Sequence, residues 1–219
     1  MKPILFLDFD GVINAFPHKF NWVGERPLNG HQGADFNDPK NWELEVLKPN
    51  VETHFELDVN TTAEHNGHTY KITYSSELVE SLRKLIVEDK IKLVWLTSWR
   101  EASETKLNPM LGFPKDKVGF LAWQSTSISP RNPQIGKYYG LCDYIEKREK
   151  ENLIDKGTPL IWVDDLATIG FANLSPNEIK YRKKHDSSPL DNYPSLVLTP
   201  DEKWGISRKE LRSIQKLCI

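Results

Sequence analysis

The chain has 219 residues, 38% of them hydrophobic and 27% charged, and its 29 basic and 31 acidic side chains leave a formal charge of −2. That length can bury roughly 70% of the surface an unfolded chain exposes, and the composition argues against wholesale disorder or a fibrous repeat. So even a charge balance gives no global attraction to polyanions; nucleic acid is not indicated by charge, although a local basic patch is compatible with it.

The chain opens on a short apolar run, residues 4–7, followed by the turn chemistry of Asp10-Gly11, which predicts a strand buried on both faces. Asp8 and Asp10 break that run before the apolar region of a signal peptide could form. Further apolar runs at 91–96, 118–123, 160–163 and 196–198 predict four more strands. Between them lie helical patterns at 76–87, 101–107 and 136–150, with a closing amphipathic helix at 207–217 and a polar loop at 181–195. Alternation of strand and helix predicts an α/β fold: a Rossmann-like three-layer α/β/α sandwich around a five-stranded parallel sheet.

Residues 15–75 interrupt the alternation and are expected to be an insertion into a core formed by 1–14 and 76–219. The first half is loop-rich, with isolated aromatics of which Trp22 and Trp42 are candidates for stacking on a substrate. In the second half, apolar residues alternate from Val51 to Val59 and from Tyr70 to Tyr74 around Asn66-Gly67, which predicts a β-hairpin acting as a flap or small cap. No span reaches the ~20 apolar residues of a membrane helix. Cys142 and Cys218 have no metal-type spacing, so a cytoplasmic protein with reduced thiols and no membrane partner is expected.

Ligands of an open parallel sheet bind beyond the carboxyl ends of its strands. There the first predicted strand ends in Asp8-Phe9-Asp10-Gly11, the second in Thr97-Ser98-Trp99-Arg100 and the fourth in Asp164-Asp165. Four carboxylates converging on one crevice repel one another unless a cation compensates, and oxygen ligands with no neighbouring His or Cys point to Mg²⁺. The six histidines show no ligand spacing and receive no role. One aspartate could attack phosphorus while the other handles protons. A balancing side-chain cation is sought in Lys137, with Lys115 and Lys117 as rivals; Lys137 precedes the helix that leads into the fourth strand, which favours it. Thr97 and Ser98 are hydroxyls at a strand end and candidate phosphate contacts, either of which could instead cap the next helix. Trp99 and Arg100 could line a substrate entrance, Arg100 as a fork for phosphate or carboxylate, or could serve packing and solvation.

These segments resemble the four motifs of the haloacid dehalogenase (HAD) superfamily in their order: Asp8-Phe9-Asp10-Gly11-Val12, Thr97, Lys137 and Asp164-Asp165. The resemblance implies that Asp8 is the nucleophile and that Asp10 is the acid/base, also lending its backbone carbonyl to the metal. It implies that Thr97 and Lys137 hold the phosphoryl group, with Asp164 and Asp165 helping to hold Mg²⁺. LVWLTSWR and LVLTPDEKWGIS further resemble HAD domains of RNA-repair assemblies. The expectation is a Mg²⁺-dependent phosphohydrolase acting on a phosphorylated substrate, such as a nucleotide, a nucleic-acid end or a phosphoprotein. A phosphotransferase and a non-catalytic binding protein on the same scaffold are the alternatives.

Overall fold

The computed structural model describes residues 1–17, 48–123, 133–167 and 189–218. Five short strands form one wholly parallel sheet: β1 (Ile4–Leu7), β4 (Lys92–Trp95), β5 (Val118–Phe120), β6 (Leu160–Val163) and β7 (Ser195–Leu198), in the order β5-β4-β1-β6-β7. Between β1 and β4 the chain builds a separate antiparallel pair, β2 (Val59–His65) with β3 (His68–Tyr74). The helices are α1 (Ser76–Val87), α2 (Asn108–Leu111), α3 (Pro133–Lys150) and α4 (Arg208–Lys216).

The period of two along each strand distributes side chains between two cores. Leu5, Leu7, Leu93, Trp95, Ile161 and Val163 pack on one face with α1, α4 and the hairpin residues Ile72 and Tyr74. Ile4, Phe6, Val94, Leu96, Leu160 and Trp162 pack on the other with Tyr138, Leu141 and Ile145 of α3. This is the expected α/β/α sandwich, and Phe55, Ile72 and Tyr74 share the first of these cores. Cys142 and Cys218 are buried in opposite cores, and no disulfide joins them. Among the described residues no helix is long and apolar enough to cross a membrane.

Helix termini follow local chemistry. Ser75 caps α1 by accepting from the Leu78 amide, and the Asp58 carboxylate accepts from the Ser76 amide at 2.7 Å. Burial would raise the Asp58 carboxyl, yet the Ser76 hydroxyl and amide hold it below its ordinary value. Ser207 and Glu210 form a reciprocal capping box at α4.

Three expectations shift. The first hairpin arm is not 51–59: residues 50–54 form a turn in which the His54 amide donates to the Asn50 carbonyl at 2.8 Å, and the strand runs through the polar stretch instead. Asn66 and Gly67 both have positive φ, +51° and +77°, so a two-residue turn sets the register at His65↔His68 and extends seven residues each way. The segment 101–107 contains a π-helical turn, Ser103–Leu107, closed by the Asn108 amide on the Ser103 carbonyl. Asn108 there is buried and joins two strands, its Oδ1 accepting from Trp95 Nε1 at 2.7 Å and its Nδ2 donating to the Val118 carbonyl. The third predicted strand stops at Phe120 because its partner β4 ends at Trp95. Trp22 and Trp42, and most of the loop expected at 181–195, lie outside the described residues.

Candidate active site

β1 lies at the centre of the sheet, and its neighbours β4 and β6 leave it in opposite directions, so the end of β1 is the point where the strand order reverses. In register, Leu7 faces Val163 on one side and Trp95 on the other. The next residues therefore emerge together: the Asp8 amide still donates to the Val163 carbonyl at 2.9 Å, and the Leu96 amide to the Leu7 carbonyl at 2.8 Å. Asp8, Thr97 and Asp164 thus end three adjacent strands, and all three are buried.

Asp8 is held at both oxygens. Its Oδ1 accepts from the Phe9 amide at 2.7 Å, and its Oδ2 from Lys137 Nζ. Lys137 comes from the first part of α3 and also donates to Asp164 Oδ2 at 2.8 Å. Asp164 Oδ1 accepts from the Leu166 amide at 2.9 Å. Of the three lysines weighed from the sequence, Lys137 is thus the one the structure brings to the carboxylates. Burial works against its charged form, yet Asp8 and Asp164 outweigh that and raise it above the ordinary lysine value.

One carboxylate oxygen from each of Asp8, Asp164 and Asp165 lies within 4.8 Å of the other two. One ammonium cannot balance three carboxylates. Burial pushes Asp165 up to about 8, with Asp8 and Asp164 adding to the rise and Lys137 opposing it. Asp164 is pushed up to about 6 by burial, with Lys137 opposing and Asp8 adding. Uncompensated negative charge and all-oxygen donors fit a hard divalent cation, and these three carboxylates would hold it. Gly11 makes the arrangement possible: its φ is +73°, and a Cβ there would lie 2.6 Å from Cγ of Asp165.

The Asp10 carboxylate stands apart from that acidic group. Its Oδ1 accepts from Asn14 Nδ2 at 2.8 Å and its Oδ2 from Trp99 Nε1 at 3.0 Å. Thr97 accepts at its hydroxyl from the Trp99 amide at 3.4 Å and at its carbonyl from Trp123 Nε1 at 3.2 Å. Ser98 is exposed in the same turn. Arg100 adopts a left-handed backbone, φ +49°, uncommon for a non-glycine residue. Around it Trp99 points inward, only 2% exposed, while Arg100 is exposed with its guanidinium 5.2 Å from the centre of the Trp123 ring. The Trp99 ring is covered by His65, stacked on it at 4.9 Å, and by Tyr70 at 5.3 Å.

Asn14, Trp123 and His65 join the site without having been singled out. Asn14 carries a legible signal, a polar residue closing the buried run Val12-Ile13 directly after the Asp-x-Asp-Gly turn. Nothing in the local sequence marks Trp123 or His65, whose contacts are 26 and 34 residues away in the chain.

Residues 4–185 match the protein family described as the HAD domain in Swiss Army Knife RNA repair proteins. No curated protein and no solved structure gives a significant match.

Proposed function

Because this chain belongs to the family of HAD domains in Swiss Army Knife RNA repair proteins, we propose that it is a Mg²⁺-dependent phosphohydrolase in which Asp8 is the nucleophile and Asp10 the acid/base. The observation that carries the reading is the Asp8 carboxylate. It is buried at the end of the central strand, oriented by the Phe9 amide and Lys137, and grouped with Asp164 and Asp165.

In the first displacement Asp8 forms a bond to phosphorus, the ester P–O bond breaks, and the leaving oxygen takes a proton from Asp10. In the second, water attacks phosphorus, Asp10 receives its proton, and the bond from Asp8 to phosphorus breaks to release phosphate. Lys137 offsets negative charge beside Asp8, and Thr97 stands at the adjacent strand end as a phosphoryl contact. Asp8, Asp164 and Asp165, with the Asp10 backbone carbonyl, would hold Mg²⁺, which would supply charge neutralisation for the phosphoryl oxygens. Residues 15–75 serve as a flap on a core of 1–14 and 76–219.

The family description favours a phosphate at a nucleic-acid end as substrate, ahead of a free nucleotide or a phosphoprotein. Arg100, exposed and stacked on Trp123, offers a cation for a flanking phosphate.

Hydrolysis of p-nitrophenyl phosphate with Mg²⁺ or EDTA, by the wild type and by Asp8→Asn, tests the chemistry. Nucleotides and phosphorylated oligonucleotides then rank the substrates. Metal-dependent turnover abolished by Asp8→Asn is expected. Turnover that survives this substitution would overturn the role of Asp8, and no turnover on any substrate would favour a binding role.

A further inference from the structure

The hairpin reaches the acid/base by two routes. Through the backbone, the Thr73 amide of β3 donates to Asn14 Oδ1 at 2.9 Å, and Asn14 Nδ2 donates to Asp10 Oδ1. The Ala15 amide returns a bond to the Thr73 carbonyl at 2.8 Å, which ties the loop after β1 to the hairpin edge. Through side chains, His65 of β2 lies nearly parallel to the Trp99 ring, 22° between planes, and Tyr70 of β3 covers it from a second direction. Phe9 meets the same ring edge-on at 5.7 Å. Three aromatic contacts leave the indole little rotational freedom, and its N–H points at Asp10 Oδ2.

We infer that the β2–β3 hairpin positions the acid/base: Trp99 and Asn14 are positioning residues that hold the Asp10 carboxylate by one oxygen each, and the hairpin holds them. The inference rests on the proposed role of Asp10 and adds to it what the insertion does. A free carboxylate rotates about its last torsion, and the two hydrogen bonds remove that freedom before substrate arrives. The geometry also separates the two carboxylates of the first motif. Asp8 faces Lys137 and the acidic group, while Asp10 faces the insertion, so one can attack while the other exchanges protons.

The test exploits leaving groups. A p-nitrophenolate departs without a proton, whereas an alkoxide needs one. Trp99→Phe keeps the ring and its stack but removes the N–H. It is expected to leave single-turnover release of p-nitrophenolate within about threefold of wild type. Turnover of an alkyl phosphate should fall about tenfold or more, part of the 10²–10⁴-fold that acid–base catalysis supplies. In an Asp10→Asn background the same substitution should add less than about twofold, since nothing remains to position. His65→Ala should act in the same direction as Trp99→Phe, and His65→Phe, which restores a stacking ring, should recover activity.

A readout independent of turnover is the Trp99 indole N–H resonance, which should move in Asp10→Asn and stay in place in Asp8→Asn. Equal losses on both substrates, a full additional loss in the Asp10→Asn background, or an indole resonance indifferent to Asp10 would overturn the inference while leaving the phosphohydrolase reading intact. A wild type without turnover would overturn both.

Discussion

Lys137→Met removes the ammonium from between Asp8 and Asp164 while keeping a side chain of similar length. The ion pairs are almost fully buried, with the lysine 4% exposed and the two carboxylates 7% and 0%. Removing one partner of such a pair costs about 3–5 kcal/mol, because the remaining charge is left in a medium that solvates it poorly. For a chain of this size each kcal/mol lowers Tm by roughly 2–4 °C, so a fall of roughly 6–20 °C is expected in metal-free buffer at pH 8. The exposed pair Lys84–Glu88, 3.8 Å apart, is the control, and Lys84→Met should leave Tm nearly unchanged. The effect of Lys137 should also depend on pH. Its raised value keeps it charged throughout pH 5–8, as it is when unfolded, so the lysine itself contributes no slope there. The slope comes from Asp164 and Asp165, pushed up to about 6 and about 8, which take up protons on acidification and then no longer need the ammonium. The cost of Lys137→Met measured by denaturant titration should shrink by about 1 kcal/mol or more between pH 8 and pH 5. A cost below about 1 kcal/mol at pH 8, or one equal at both pH values, would refute the electrostatic account.

Asp165→Asn should separate stability from activity. With Asp165 pushed up to about 8, ionising it costs folding free energy; that loss begins as pH rises past the unfolded value of about 4 and grows until about 8. Metal-free Asp165→Asn should therefore be more stable than wild type at pH 8, converge with it near pH 4, gain less Tm from Mg²⁺ and lose turnover. Gly11→Ala tests the tight turn: a Cβ at φ +73° and 2.6 Å from Asp165 Cγ should cost about 1–2 kcal/mol of backbone strain plus about 1–3 kcal/mol from overlap, with at least a tenfold loss of activity. Unchanged melting and turnover in that variant would mean the turn has room it does not display.

The sheet was legible because each central strand is an apolar run with punctuation at its end. Ile4–Leu7 and Leu160–Val163 are buried along their whole length, and burial on both faces writes itself as a continuous run rather than an alternation. The same property located the candidate site, since a parallel sheet aligns strand ends and Asp8, Thr97 and Asp164 each follow such a run directly. Elements that depend on competition between local signals were harder. The alternation from Val51 to Val59 looked like a strand, but the Asn66-Gly67 turn dictates pairing outward from itself, and Asn50 captures the amides that a strand from Val51 would have offered.

The relations that decide what each residue does at the site were the least legible, and Trp99 shows why. Two residues after Thr97, it stands where a substrate contact would stand, and its identity alone is consistent with either stacking on a ligand or packing. Its surroundings come from partners distant in sequence: Asp10 is 89 residues away, and the rings of His65 and Tyr70 are brought to it by a hairpin of a different sheet. Periodicity reports which face of an element is buried, but not which element buries it. A local pattern could therefore find the aspartates and the strand ends that carry them. The contacts that give Asp8 and Asp10 different surroundings, Lys137 and the acidic group for one and Asn14 and Trp99 for the other, are made between segments and exist only in the folded chain.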